Sequence, residues 1–255
     1  MSEKAFIFGI NPVIEKLKAS AHDVSEILIL SRPQRPALRS IAAEARRLGL
    51  RVTYVNPDLL RRLVGGENHQ GVLAKVEPYA CLPFSELVEG VSTSLTAERV
   101  LILDGLTDPR NFGALLRTAE AVGVQHVLIP KDRSVSVTPT VVKTSAGAIH
   151  HLKVYKTTNL RRAIATLKER GFWVVGLDVQ ARAGIYDIVY PKRLAIILGS
   201  EGKGVRPILL GECDYLISIP MLGRIASLNV AVAGAVFLYE LLRQEQALTK
   251  AEAKG

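Results

Sequence analysis

The amino-acid sequence predicts an α/β protein: a small N-terminal α/β unit, then a mainly parallel sheet covered by helices on both faces. Three observations carry this. From Arg99 onward, short continuous apolar runs alternate with helical patterns, as expected of parallel strands buried on both sides. Helical segments are punctuated by proline at their start and glycine at their end, as in "PALRSIAAEARRLG". Hydrophobic residues make up 48% of the 255 positions and aromatic residues only 5%, so the interior is expected to be aliphatic. At about 150 residues per domain, this length accommodates one or two domains.

Residues 1–76 form the first unit. "NPVIEKLKAS" is a helix, "EILIL" a strand, "PALRSIAAEARRLG" a helix and "RVTYV" a strand; "PDLLRRLVG" is a short helix and "GVLAKV" the closing strand. Residues 77–97 change character, with Pro78, Pro83, Gly90 and the polar run "STSLTA", and are expected to be a linker containing the short helix "FSELVE". Residues 98–245 hold strand candidates "RVLILD", "HVLIP", "HLKVY", "FWVVGLD", "LAIILG" and "YLISIP", with helices expected at 109–122, 138–145, 158–170, 205–211 and 226–243. Residues 246–255 are a charged tail.

Composition narrows the function. So few aromatic residues disfavour a sheet that stacks RNA bases on rings. The longest apolar stretches fall short of the roughly 18 residues a membrane span needs, and "MSEKAFIFG" lacks a signal-peptide layout, so a cytoplasmic location is expected. Cys81 and Cys213 lie far apart with no metal-ligand spacing and are expected to be packing residues; no metal is expected. Net charge is +9, and residues 131–170 carry nine basic residues (Lys131, Arg133, Lys143, Lys153, Lys156, Arg161, Arg162, Lys168, Arg170) against Asp132 and Glu169. That surplus suits a polyanionic partner, most economically a nucleic acid, although a merely solvated basic face has the same composition.

No dinucleotide-binding, P-loop, zincin or nucleophile-elbow motif is present. What remains is three loops after apolar strands: "DGLTDPRNFG", "GSEGKGV" and "PMLGRIASLN". Ligands of open parallel sheets bind beyond the carboxyl ends of the strands, so these loops are expected to line one site. They offer Asn111, Arg117, Glu201, Lys203, Arg224, Ser227 and Asn229, without histidine, cysteine or a carboxylate pair. Such side chains suit a reaction whose hard step is supplied by an activated cofactor. On a helix starting near Pro109, residues 111, 115, 118 and 122 share an apolar-leaning face, with Gly113, Arg117 and Glu120 opposite. Arg117 is then either a site residue or an exposed partner of Glu120.

"NFGALLRTA" (111–119), "LGSEGKGV" (198–205) and "IPMLGRIASLNVAVA" (219–233) resemble, in order and spacing, the three motifs of the SpoU, or TrmH-like, RNA ribose methyltransferases of the SPOUT superfamily. "FGINPVIEKL", "NHQGVLAKV" and "KTSAGAIHHLKV" are similar to members that methylate a guanosine ribose of large-subunit ribosomal RNA. One departure is Ala231, where many members carry serine.

The resemblance implies a C-terminal trefoil knot, a homodimer with its active site near the dimer interface, and S-adenosylmethionine as cofactor. It implies that Leu198, Gly199, Ile219, Met221 and Leu228 hold the cofactor, largely through backbone. Arg117 is implied beside the ribose hydroxyl, as base or as stabilising cation, with Asn111, Glu201, Ser227 and Asn229 as orienting groups. The N-terminal domain is implied to resemble a small ribosomal RNA-binding protein, with Arg32, Arg35, Arg61, Arg62 and Lys143 as candidate RNA contacts. The implied reaction is 2′-O-methylation of a guanosine in 23S rRNA. The rivals are methylation of a transfer-RNA ribose and a non-catalytic ribosome-assembly factor.

Overall fold

The computed structural model describes residues 5–32, 35–91, 98–132 and 134–252. They divide into two compact units, Met1–Ala80 with Ser136–His151, and Cys81–Val135 with Leu152–Gly255.

The first unit opens with β1 (Ala5–Phe8), α1 (Ile10–Ser20), β2 (Val24–Leu30), α2 (Pro36–Arg47), β3 (Arg51–Val55), α3 (Pro57–Leu63) and β4 (Val72–Val76). Its four-stranded sheet has the order β1-β4-β2-β3, with β2 and β3 parallel and β4 antiparallel to both β1 and β2. The α2 helix starts on Pro36, whose missing N–H costs nothing at that position, and buries Leu38, Ile41, Ala42 and Ala45. That i, i+3, i+4, i+7 spacing is one continuous stripe facing the core. Strand β1 was not legible as a strand, because four residues give too short a run to show alternation.

The second unit begins inside the stretch expected to be a linker. There β5 (Leu82–Pro83) pairs with a sheet strand and α4 (Phe84–Gly90) buries Leu87 in the core together with Val91. Residues 92–97 lie outside the described residues. Then follow β6 (Glu98–Leu103), α5 (Pro109–Ala121) and β7 (His126–Pro130). The next segment, with α6 (Pro139–Thr144), belongs to the first unit. The chain continues through β8 (Lys153–Thr157), α7 (Leu160–Glu169), β9 (Trp173–Leu177), β10 (Ala183–Gly184), β11 (Arg193–Leu198), α8 (Pro207–Leu210), β12 (Tyr215–Ser218) and α9 (Val230–Glu252).

The eight strands order β10-β12-β9-β11-β6-β7-β8-β5, and every pairing is parallel. From β6 the chain builds outward through β7 and β8, then crosses to the other side with β9 and β11, so the order reverses between β6 and β11. All six residues of β11 are buried, which explains its uninterrupted apolar sequence. A cluster that includes Ile102, Leu128, Leu167, Val174 and Ile197 forms the core beside it.

Two helices depart from expectation. The α5 helix buries Phe112, Gly113, Leu115, Leu116 and Ala119, so Gly113 lies on the packed side and not beside Arg117 on an open one. The α9 helix starts at Val230 rather than 226 and runs through most of the expected charged tail to Glu252. Its start is set by Asn229, whose Oδ1 accepts from the backbone N–H of Ala231 at 2.8 Å and of Val232 at 3.4 Å. Ala231 thus occupies the first turn and gives its N–H to the cap.

The division expected at residue 76 follows the chain rather than the packing. Within the first unit, Gly147 (φ +89°) sits so close to α1 that a Cβ there would lie 2.7 Å from Cβ of Glu15 and 3.2 Å from Cα of Pro12. His151 Nε2 lies 2.9 Å from Glu15 Oε2, and Lys143 Nζ donates to Glu67 Oε2 at 2.9 Å while standing 4.9 Å from the Phe8 ring centre.

Both cysteines are free. Burial pushes the Cys213 thiol up to about 12 and raises that of Cys81 as well. Thiolate is the reactive form, so neither should label readily with Ellman's reagent at pH 8 in the folded protein, and both should label after denaturation. Rapid native labelling of Cys213 would contradict its packing.

Candidate active site

The site starts where β11 ends. A Cβ at Gly199 would fall inside the Gly204–Val205 peptide, so backbone passes directly over backbone and only glycine fits. Between them, Ser200 N–H donates to Gly204 O and Gly204 N–H donates to Ser200 O, both at 3.0 Å. Gly202 and Gly204 take positive φ, which accounts for the spacing of "GSEGKG". A second close approach is at Gly234 in α9, where a Cβ would lie 2.7 Å from Cδ1 of Leu198 and would also strike Leu115.

A pocket of about 580 Å³ opens here at the carboxyl ends of β9, β11 and β12. Leu198, Gly199, Ile219, Met221 and Leu228 all line it, as do Glu201, Lys203 and Ser227. Asn111 and Asn229 are not in the lining but reach it through Glu201. Asn229 Nδ2 donates to Asn111 Oδ1 at 3.0 Å, and Asn111 Nδ2 donates to Glu201 Oε1 at 2.8 Å. With the Asn229 cap on α9, this relay ties the starts of α5 and α9 to the loop after β11, so the three sequence motifs are joined through side chains.

Arg117 is not part of this group. It is exposed on α5, does not line the pocket, and among the described residues forms no ion pair with Glu120. Arg224 is exposed and also lies outside the lining. No residue of the loop "DGLTDPRNFG" lines the pocket, to which it connects through Asn111, while Asp178–Gln180, a loop after β9 without a marking motif, lines it directly. That loop lacks the glycine or proline that marked the others; its turn is made by Asp178 Oδ1 accepting from Gln180 N–H at 3.0 Å. A second missed pair is Asp104 with Arg206. Buried Asp104, at the end of β6, accepts from Arg206 Nε at 2.8 Å and from its backbone N–H at 3.0 Å, fixing the far end of the 199–205 loop.

The candidate RNA contacts lie in the first unit. Arg32 and Arg35 line a separate cavity of about 660 Å³ with Gln70, and Arg61 and Arg62 are exposed in the last turn of α3. Lys143 is already engaged by Glu67 and Phe8, which weakens its claim. The basic run 131–170 is also less free than its composition suggests: Arg161 pairs with Glu212 at 2.6 Å and Lys168 with Asp214 at 2.7 Å, and Arg133 lies outside the described residues. No helix among the described residues is long and apolar enough to cross a membrane.

A parallel sheet whose pocket is walled by backbone at its strand ends, with side chains arranged to orient more than to attack, suits the class of enzymes in which a bound cofactor supplies the hard step. The profile of the SpoU rRNA Methylase family matches residues 98–239, and that for RNA 2′-O ribose methyltransferase substrate binding matches residues 6–81. A 23S rRNA (guanosine-2′-O-)-methyltransferase RlmB of Xanthomonas campestris is 41% identical over 242 residues, covering 95% of this chain and 97% of that protein. The crystal structure of an RNA 2′-O ribose methyltransferase superposes with a TM-score of 0.82 at 26% identity, over 96% of this chain and 90% of that one. The SpoU methyltransferase AviRb of Streptomyces viridochromogenes, in complex with AdoMet, shares the fold with a TM-score of 0.79 at 24% identity, over 95% and 90% of the two chains. The chain belongs to the SpoU rRNA methylase family and is an RNA 2′-O-methyltransferase that uses S-adenosylmethionine.

The pocket fits that cofactor. Leu198, Ile219, Met221 and Leu228 give an apolar lining suited to adenine, glycine-rich backbone is available to its polar edges, and Asp178 and Glu201 supply negative charge for a cationic ligand.

Proposed function

We propose that this protein methylates the 2′-oxygen of a guanosine ribose in 23S rRNA, in the cytoplasm, as a homodimer. The observation that carries the reading is the coexistence of the backbone-walled pocket and its Asn229–Asn111–Glu201 relay with a first unit that matches a substrate-binding profile and presents Arg32, Arg35 and Arg62, which form no ion pair among the described residues. The guanosine and the 23S rRNA are taken from the activity named for relatives about 40% identical over nearly the whole chain.

S-adenosylmethionine supplies an electrophilic methyl group on a sulfonium centre. The chain's own residues bring the ribose to it. In this reading the relay holds Glu201 and Asn111 at the pocket edge, and Ser227, also in the lining, contacts ribose or cofactor. Arg117 acts on the ribose hydroxyl, which must lose its proton during attack. A guanidinium is a reluctant base, so we assign Arg117 to charge stabilisation of the developing oxyanion and to holding the adjacent RNA phosphate, which takes the hydroxyl proton while S-adenosylhomocysteine leaves as the neutral thioether.

Because Arg117 does not line the pocket of its own chain, it serves the partner's pocket in this dimer. Exposed apolar residues support such a partner. Met221 in the lining and Leu222 and Ile225 beside it in the chain stand exposed, and Val232 and Tyr239 are exposed on α9. The mass in solution at micromolar concentration should be twice 27.7 kDa, and Leu222→Asp with Ile225→Asp should give monomers with little activity. A fully active monomer would remove the shared site.

Replacing Arg61 and Arg62 together with alanine should weaken RNA binding and lower the slope of log affinity against log salt by about 2, with cofactor affinity unchanged. An unchanged slope would move the phosphate contacts elsewhere. The test of the whole reading is a map of ribose methylation in RNA from cells with and without the gene. One guanosine lost from the 23S map supports it; a loss confined to transfer RNA establishes the rival substrate, and no loss anywhere overturns the activity.

A further inference from the structure

The first unit contains a third cavity, of about 420 Å³, whose lining includes none of Arg32, Arg35, Arg61 and Arg62 and which phosphate contacts do not account for. Its lining is apolar at Ile7, Val76, Pro139 and Val142, and polar at Lys16, Ser20, Asp23, Glu77, Thr138 and His150. This size falls in the range of small-ligand pockets, roughly 300–1,000 Å³.

Two of these polar groups, Lys16 and His150, are unusual. Lys16 is 7% exposed, and its ammonium donates to Ser20 Oγ at 2.7 Å and to Asp23 Oδ2 at 2.5 Å. An ammonium has three protons, so one donor remains for the cavity. His150 Nε2 is buried without a hydrogen-bond partner among the described residues. Burial, reinforced by the charge of Lys16, lowers the His150 pKa to about 4, so the ring is neutral at pH 7. A neutral imidazole offers one N–H and one lone pair, and an unmatched buried nitrogen is destabilising unless a ligand or water meets it. A buried ion pair alone would explain Lys16 and Asp23; it leaves the cavity and His150 unexplained.

We propose that this cavity receives one unstacked RNA base that carries a carbonyl oxygen, with Lys16 donating to that oxygen and His150 meeting a neighbouring ring or exocyclic nitrogen. Splayed-out bases are how proteins read RNA sequence, through flat apolar surfaces and hydrogen bonds to the base edge. Guanine, uracil and cytosine carry such an oxygen; adenine does not. The proposal rests on the RNA-binding reading of the first unit and adds base readout to its phosphate contacts.

The test compares uridine and adenosine oligomers of equal length, at several salt concentrations, on the full chain and two variants. Ala80→Trp blocks the cavity at its exposed rim, where folding is not at risk, and His150→Ala removes the edge contact. The wild type should favour the uridine oligomer. Each variant should lose about tenfold on it, lose little on adenosine and keep the same salt slope, because base contacts release no counterions. Differences in strand stacking cancel when each variant is compared with wild type on the same oligomer. No uridine preference in the wild type, equal losses on both oligomers, or no loss in Ala80→Trp overturns the proposal while leaving RNA binding intact. If the wild type binds neither oligomer at low salt, the RNA-binding reading falls and takes this proposal with it.

Discussion

Arg117→Ala should lower the rate of methyl transfer by at least about a hundredfold at saturating RNA and cofactor, the scale of a lost charge-stabilising group. The structure sharpens this expectation. Arg117 is exposed and forms no ion pair with Glu120 among the described residues, so its removal should change stability by less than about 0.5 kcal/mol. Cofactor affinity should also hold, because the pocket lining does not include this side chain. Arg117→Lys should recover only part of the rate, since an ammonium lacks the planar fork that engages ribose and phosphate together. Mixing Arg117→Ala with a cofactor-pocket variant offers a stricter test. If Arg117 works across a dimer, mixed dimers regain one intact site and some activity appears where neither variant alone has any. Near-normal turnover by Arg117→Ala would shift the search to Glu201 and Asn229.

Gly199→Ala should be the most destructive single methyl addition near the site. The added carbon would occupy the space of the Gly204–Val205 peptide, and backbone on both sides leaves no flexible side chain to yield. Overpacking typically costs about 1–3 kcal/mol, and this overlap should exceed that range or prevent folding. Gly202→Ala is the control: it lies in the same loop at φ +79° with nothing within 4 Å of an added Cβ, so only backbone strain of about 1–2 kcal/mol applies. Urea unfolding of both variants, with equal m-values required, separates the two effects. Equal losses would mean that the loop relaxes around Gly199 and that the crossing has slack.

The parallel sheet was readable because β6, β9 and β11 are buried on both faces and so need continuous apolar sequence. The two-residue strands β5 and β10 were not, since two residues have no periodicity. Residues 246–255 were expected to be a charged tail, yet Gln, Ala, Leu, Lys and Glu favour helix, and α9 continues through that stretch to Glu252. At the site, all five expected cofactor contacts line the pocket because they sit on the loops that end β11 and β12 or begin α9. The Asp104–Arg206 pair was invisible, since its members lie 102 residues apart and no local pattern links them. The same holds for the excursion 136–151: periodicity says that α6 has an apolar face, not which core receives it.

That excursion bears on how the protein is made. The first unit cannot be completed by its own first 80 residues; it waits for Ser136–His151, whose Gly147 packs against α1. At about 5–20 residues per second, the ribosome needs roughly 4–14 s to extend from residue 80 to residue 151. Throughout that interval the nascent chain carries an unfinished surface near Pro12 and Glu15, open to chaperones. A gene fragment encoding residues 1–80 alone is therefore a poor cassette for transplanting RNA affinity onto another enzyme, and the two units are bound to be inherited together.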